Sequence, residues 1–482
     1  MLLSRCDRLF AKESSRSSLS AVRRAQNGGI SFWISDIGGP PAHRPPLTAS
    51  IHADVCIVGA GFSGLWTAYY LAKHAPRLKI VILEREFAGF GASGRNGGNM
   101  SIGTWPRNAY ATHGTAAAIT ALDRLLADTP REIMRIAKEE GIEADFVTGG
   151  NLQVATTPEQ GVRLKATYRA LSERFGSVGD VKLVSRAQVL ERVRISDVVG
   201  GIVFSLSTRI QPAKLVRGLS DAVERMGIRI YEGTEVSALQ PRAVFTSAGF
   251  RVDADVVVRA TEGFTPELPG FHRQLVPLNS AMIVTDIVPD EIMKEIGWEG
   301  YETISETSYL FSYCQRTRGN RITLGGRGVP YRFGSKLDKH GATDLRTVTM
   351  LHQCVERLFP QLKNVPIAHA WCGPLGTPRD WRARVNYDPS TGFGWLGGYV
   401  GGGISPSNLA GRTMADLILG KRSELTALPW INIPAKQWEL EPVRWIAIKT
   451  MYKLYGIADQ IERRGGDGSW LAHIVDKITG RD

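Results

Sequence analysis

The chain reads as an α/β protein, and three observations in its first hundred residues predict this. Asp54-Val55-Cys56-Ile57-Val58 is a short apolar run rich in β-branched residues, suited to a buried parallel strand. Gly59-Ala60-Gly61-Phe62-Ser63-Gly64 follows at once and leads into Leu65 to Ala75, where Leu65, Ala68, Tyr69 and Ala72 recur at helical spacing. Pro76 ends that helix, and Lys79 to Leu83 is a second apolar strand closing on Glu84.

This strand–helix–strand unit has the form of a Rossmann-like dinucleotide site. Gly59 allows the tight turn, Gly61 lets backbone approach a pyrophosphate, and Gly64 lets helix and strand pack closely. The helix N-terminus at Phe62 and Ser63 offers unpaired N–H groups and a positive dipole end. Glu84 ends the second strand, where a carboxylate accepts from ribose hydroxyls.

Further along, residues 116–140 are helical by period, with Pro130 expected to kink or divide them and Gly141 as C-cap. Helices are also expected over 160–176, Lys214 to Met226, 348–358 and Leu409 to Leu419. Ile228 to Tyr231, Val252 to Val258, Met282 to Val284 and Ile322 to Leu324 read as strands, and Trp395-Leu396-Gly397-Gly398 as a strand running into glycines. In the tail, Trp445, Ile448, Met451, Tyr452 and Tyr455 form one helical stripe. Packing on the protein itself or a partner subunit is the expectation, and an anionic membrane surface the alternative.

Composition narrows the function. The 482 residues are 43% hydrophobic and 22% charged, the range of globular proteins. Five scattered cysteines with no C-x-x-C pair argue against a disulfide framework and a structural zinc site, so no metal is expected and a reducing, cytoplasmic location fits. The net charge of +12 is spread along the chain without a reader motif, which argues against nucleic acid. No apolar run is long enough for a membrane span, so no transmembrane segment is expected. The basic, serine-rich residues 1–26 read as a disordered tail; a transit peptide, and with it an organellar location, is the alternative.

The first fingerprint does not choose between NAD and FAD. Three later features point to a flavin. Gly91-Ala92-Ser93-Gly94-Arg95-Asn96-Gly97-Gly98 is a second glycine loop soon after Glu84. Ala254 to Gly263 is an apolar strand ending in a small-residue turn that returns the chain to the nucleotide. Gly397 to Ser405 is a glycine loop feeding a helix, which places N–H donors near developing negative charge.

In order, VGAGFSG (58–64), Glu84, GASGRNGG (91–98), Pro212, Glu235-Val236, ATEGFTPELPG (260–270), Trp371-Cys372-Gly373-Pro374 and GGYVGGGIS (397–405) resemble the D-amino-acid oxidase superfamily of FAD-dependent oxidoreductases. The SGRNGG form is most similar to the gamma-glutamylputrescine oxidoreductase-like branch. The resemblance implies a Rossmann-like FAD-binding domain built from discontinuous segments (29–105, 200–275 and 370–420) plus an antiparallel-sheet substrate domain (106–199 and 276–369). A disordered basic tail (1–28) and a C-terminal helical tail (421–482) would flank them.

By position, the resemblance assigns Gly59, Gly61, Phe62, Ser63, Gly64, Glu84 and Arg85 to the ADP half of FAD. Ser93, Arg95, Asn96, Gly97 and Gly98 would lie along flavin and pyrophosphate, Val236 against the adenine edge, and Thr261 and Gly263 in the returning turn. Gly402, Gly403 and Ile404 would face the pyrimidine side of the ring. The implied chemistry is oxidation of a C–N bond of an amine or amino-acid-like small molecule by hydride transfer to flavin N5, giving an imine that hydrolyses. O2 or another acceptor would take the electrons.

One departure bears on substrate. Amino-acid oxidases of this kind carry G-x-R-P near the third flavin loop, where the arginine clamps a carboxylate; here the stretch is Cys372-Gly373-Pro374-Leu375. An amine or polyamine derivative is therefore expected, with Arg327 and Arg379 as candidate substrate contacts and no catalytic acid–base residue assigned. Cys314 and Cys372 match no flavin-attachment motif and are expected to be inert buried thiols. A homo-oligomer is compatible with the sequence. The alternatives are a flavin dehydrogenase of a hydroxy compound and a protein whose FAD is structural.

Overall fold

The computed structural model describes residues 25–101, 110–175, 181–329 and 331–479. Most of the tail expected at 1–28 lies outside these residues. Its last part does not behave as a tail: Gln26–Asn27 pair in parallel with His369 and Ala370.

Two large sheets carry the architecture. In the first, Ile51–Val58 lies between Ile80–Leu83 and Arg251–Arg259, parallel to both, and Arg229–Tyr231 extends the edge beyond Ile80–Leu83. Phe393–Gly397 adds in parallel to Arg251–Arg259. The central strand is apolar on both faces because both are covered. Helices Phe62–His74, Ala116–Glu139, Pro212–Arg225 and Ile404–Ile418 cover one face, burying Leu65, Trp66, Leu126, Leu219 and Met414 in a common core. Helices Phe62–His74 and Ile404–Ile418 meet at Gly411, where a Cβ would lie 2.7 Å from that of Trp66.

Pro130 does not divide its helix: Ala116–Glu139 runs through it as one element. Buried residues on both sides of the proline, Ile119, Leu122 and Leu126 before it and Ile133 and Ile136 after it, join the same core. That shared burial holds the helix across the missing backbone donor.

The second sheet has nine strands in the order 26–27, 367–377, 276–285, 322–329, 312–316, 303–306, 151–155, 200–204, 181–185. It is antiparallel except where 26–27 meets 367–377 and 303–306 meets 151–155. Gly200–Phe204 and Ile367–Thr377 belong to this sheet, so the segment expected from 200 opens on one of its strands and the boundary expected at 370 cuts another. The tail stripe packs on the protein itself: Ile448 and Tyr455 are buried, Trp445 and Tyr452 join the cluster of Val276, Tyr331 and Trp438, and Met451 packs beside Tyr455.

Candidate active site between the two sheets

Two confluent cavities of about 300 and 150 Å³ lie where the sheets face each other, sharing Phe62, Ser63, Ala92, Ser93 and Glu262. The smaller is built on the first strand–helix–strand unit. Gly59 turns at φ +106°, and a Cβ there would lie 2.7 Å from the Ala260 carbonyl. A Cβ on Gly64 would lie 2.0 Å from the Gly59 carbonyl, so strand and helix touch there. Gly61 is the N-cap with no side chain to cap it, and of the helix-end donors Phe62 N–H is taken by Ser93 Oγ, which leaves the N–H groups after it to a ligand. Glu84 accepts from the N–H groups of Ala60 (2.8 Å) and Glu86 (3.0 Å), and its burial raises its carboxyl above the ordinary value. Arg85, Glu235, Val236, Thr261 and Gly263 complete this end, with Arg85 held by Glu267 at 2.6 Å and lying over the Phe264 ring.

The loop 91–98 forms the floor of the larger cavity. Its glycines answer to protein first: a Cβ on Gly97 would lie 2.3 Å from the Tyr313 ring, and one on Gly98 2.2 Å from Gln315 Nε2. Ser93 Oγ accepts from the Phe62 N–H at 2.9 Å, and Asn96 caps its own turn by accepting from Gly98 N–H. Arg95 was expected along the cofactor. Its guanidinium is instead committed to main-chain carbonyls, Nε to Phe90, Nη1 to Cys372 and Nη2 to Lys339, and stacks on Phe90. Burial lowers its pKa to about 10, so it remains a cation that pins the loop.

Opposite this floor stand Gly401, Gly402, Gly403 and Ile404. The helix opens later in the sequence reading than in the structure: it starts at Ile404, directly on the glycine loop, with no side-chain cap on Gly403. Two uncapped helix ends therefore face one trough. Between them Asn279, 2% exposed, has both side-chain polar atoms without a partner, and Asn99 Oδ1 is likewise unpaired. Phosphate-facing helix ends, a buried carboxylate at one end and unpaired amide groups at the other fit an elongated dinucleotide.

Several residues of the site are not among those the sequence assigns to it. Phe311, Tyr313, Trp381 and Tyr452 wall the outer part of the larger cavity, and Glu262 and Tyr399 lie beneath the glycine loop. Glu262 sits inside the quoted ATEGF turn, where an acid among small residues was the available signal. Tyr452 comes from the C-terminal helix Val443–Arg463, far away in sequence. Arg379 pairs with Glu439 at 2.9 Å over the Trp438 ring and lines neither cavity; Arg327 lies in strand Ile322–Val329, its side chain outside the described residues. Cys314 and Cys372 are buried, and burial raises both thiols. Among the described residues no group of side chains could hold a metal ion, and no helix is long and apolar enough to cross a membrane.

Comparison with known proteins agrees with this geometry. Gamma-glutamylputrescine oxidoreductase of Escherichia coli is 29% identical over 80% of this chain and 88% of its own. A probable oxidoreductase, OrdL, of Rhizobium meliloti is 27% identical over 84% of this chain and 92% of its own. The fold of glycine oxidase from Geobacillus kaustophilus superposes with a TM-score of 0.64 at 22% identity, over 77% of this chain and 96% of that one. Residues 54–417 match the DAO family of FAD-dependent oxidoreductases, and the chain belongs to that family.

Proposed function

We propose that this enzyme oxidises the C–N bond of a primary or secondary amine whose reacting carbon bears no free carboxylate. The observation that carries the proposal is the larger cavity. Its outer walls are Phe311, Tyr313, Trp381, Leu278 and Tyr452, and the one arginine among its described lining residues, Arg95, spends its donors on carbonyls. Among the described residues a carboxylate would find no guanidinium fork there, whereas an amine would meet aromatic faces and the free amide of Asn279.

Gly59, Gly61, Glu84 and the helix end at Phe62 would hold the ADP half of FAD, and Gly402, Gly403 and Ile404 the ring end. When bound, FAD supplies the two-electron chemistry and passes the electrons to O2 or another acceptor. The protein binds, orients and dries the substrate. The aromatic faces can receive an ammonium, and the substrate must give up an ammonium proton before hydride can leave its α-carbon. The C–H bond breaks as the C=N bond forms, and water then adds to the imine to give a carbonyl and a free amine.

Product analysis tests this. Turnover of an N-alkyl amine should release one carbonyl compound and one amine for each two electrons delivered to the acceptor. Oxidation of hydroxy compounds, with no amine released, would overturn the proposal.

A further inference from the structure

Glu262 is the one carboxylate among the described residues lining the larger cavity, and it also lines the smaller one. It is held in place closely. Its backbone sits at φ +40°, unusual for a residue with a side chain. Its Oε1 accepts from the N–H groups of Gly398 (3.0 Å) and Tyr399 (3.3 Å), the start of the glycine loop that ends at the uncapped helix. Its Oε2 is buried, makes no hydrogen bond of regular geometry, and faces the Gly376 backbone N–H. A Cβ on Gly376, from the second sheet, would lie 2.0 Å from that oxygen, so the carboxyl is clamped between the two sheets.

The charged and titratable groups around it are few. Arg259 lies one turn earlier, 1% exposed, with both terminal nitrogens unpaired and its guanidinium 4.3 Å from the Phe271 ring centroid and 5.0 Å from that of Trp395. The Tyr399 phenol faces the other way, to Ser63 at 2.9 Å, and burial raises it out of the titrating range. From the second sheet only backbone, at Gly376, approaches.

We propose that Glu262 is a redox-linked proton holder, taking one proton from solvent as the bound FAD is reduced and returning it on reoxidation. Burial raises its carboxyl to about 7, opposed first by the backbone N–H groups of Tyr399, Gly398 and Gly376 and last by Arg259, so either protonation state is accessible. Negative charge added to the trough on reduction favours the neutral acid, and the freed Oε2 is the site that carries the proton. The role rests on the family's cofactor and not on which amine is oxidised. It makes Glu262 a residue that sets the driving force of the reaction through the charge beneath the loop.

The test is the midpoint potential of the FAD-loaded protein against pH from 6 to 9, by dithionite titration with indicator dyes. One extra proton per two electrons steepens the slope by about 30 mV per pH unit, the tenfold constant for a two-electron couple. The wild-type protein should show this steeper slope near and above pH 7. Glu262→Gln should lose it, while Glu262→Asp and Tyr399→Phe should keep it. A wild-type slope with no extra proton, or a steep slope that survives in Glu262→Gln, overturns the proposal. Should Glu262→Gln fail to hold FAD, the wild-type slope and that of Glu262→Asp still decide. Failure to oxidise any amine would count against the substrate reading and leave this result standing.

Discussion

The Asp459 carboxylate, on the C-terminal helix, accepts the backbone N–H of Leu310 at 2.9 Å. It also takes that of Tyr309 at 2.8 Å, while Glu462 on the same helix pairs with Arg163, itself stacked on Tyr309. A helix beyond the family-matched residues thus pins the loop that leads into Phe311 and Tyr313 of the cavity. Asp459→Ala leaves two N–H groups without an acceptor, at about 1–3 kcal/mol each. Urea unfolding should show a loss of about 2–6 kcal/mol, and KM for the amine should rise more than kcat falls. An unchanged midpoint and KM would mean the helix only decorates the surface.

Tyr452 touches the cavity from that helix without sharing its ion pairs. Tyr452→Ala should keep FAD, lose some stability because it leaves the cluster of Tyr331 and Trp438, and change the preference among amines of different bulk, read as the ratio of kcat/KM across an alkylamine series. Identical ratios in variant and wild type would place Tyr452 outside recognition.

Glycine requirements separate packing from cofactor. Gly64→Ala drives a Cβ into the Gly59 carbonyl, and Gly97→Ala into the Tyr313 ring. Both should destabilise the protein even without FAD, by about 1–3 kcal/mol or more of overpacking, read as a lower melting temperature. At Gly402 nothing lies within 4 Å of a Cβ and φ is not positive. Gly402→Ala should melt like wild type without FAD and lose affinity only when FAD is titrated in.

The strand, glycines, helix and Glu84 were legible because a dinucleotide turn writes its demands into adjacent residues. The helix over Pro130 was misjudged because packing on both sides of the proline outweighs a local break, and that packing is tertiary. Arg95 reads from sequence as a cofactor contact, since nothing local reveals that the carbonyls of Phe90, Lys339 and Cys372 converge on it. The aromatic wall was invisible for the same reason: Phe311, Trp381 and Tyr452 meet only once the sheets face each other.

Stability should depend on Glu262. Its folded value of about 7 lies above its ordinary 4.5, so the folded chain binds more protons than the unfolded one between those values. The contribution is complete below pH 4.5 and is lost as pH rises through 7, about 3 kcal/mol in all at about 1.4 per unit. The difference in urea midpoint between FAD-free Glu262→Gln and wild type should move in favour of the variant across that window. A difference independent of pH would contradict the burial assigned to this carboxyl.

Oxidation of an amine in preference to its α-amino acid is read from the visible spectrum of the FAD-loaded protein under anaerobic conditions, before and after each amine and its α-carboxylated twin. The account predicts that flavin absorbance bleaches with the amine at least tenfold faster than with the matched α-amino acid, about 1.4 kcal/mol of transition-state preference. Faster bleaching by the amino acids, or bleaching by hydroxy compounds alone, would contradict it.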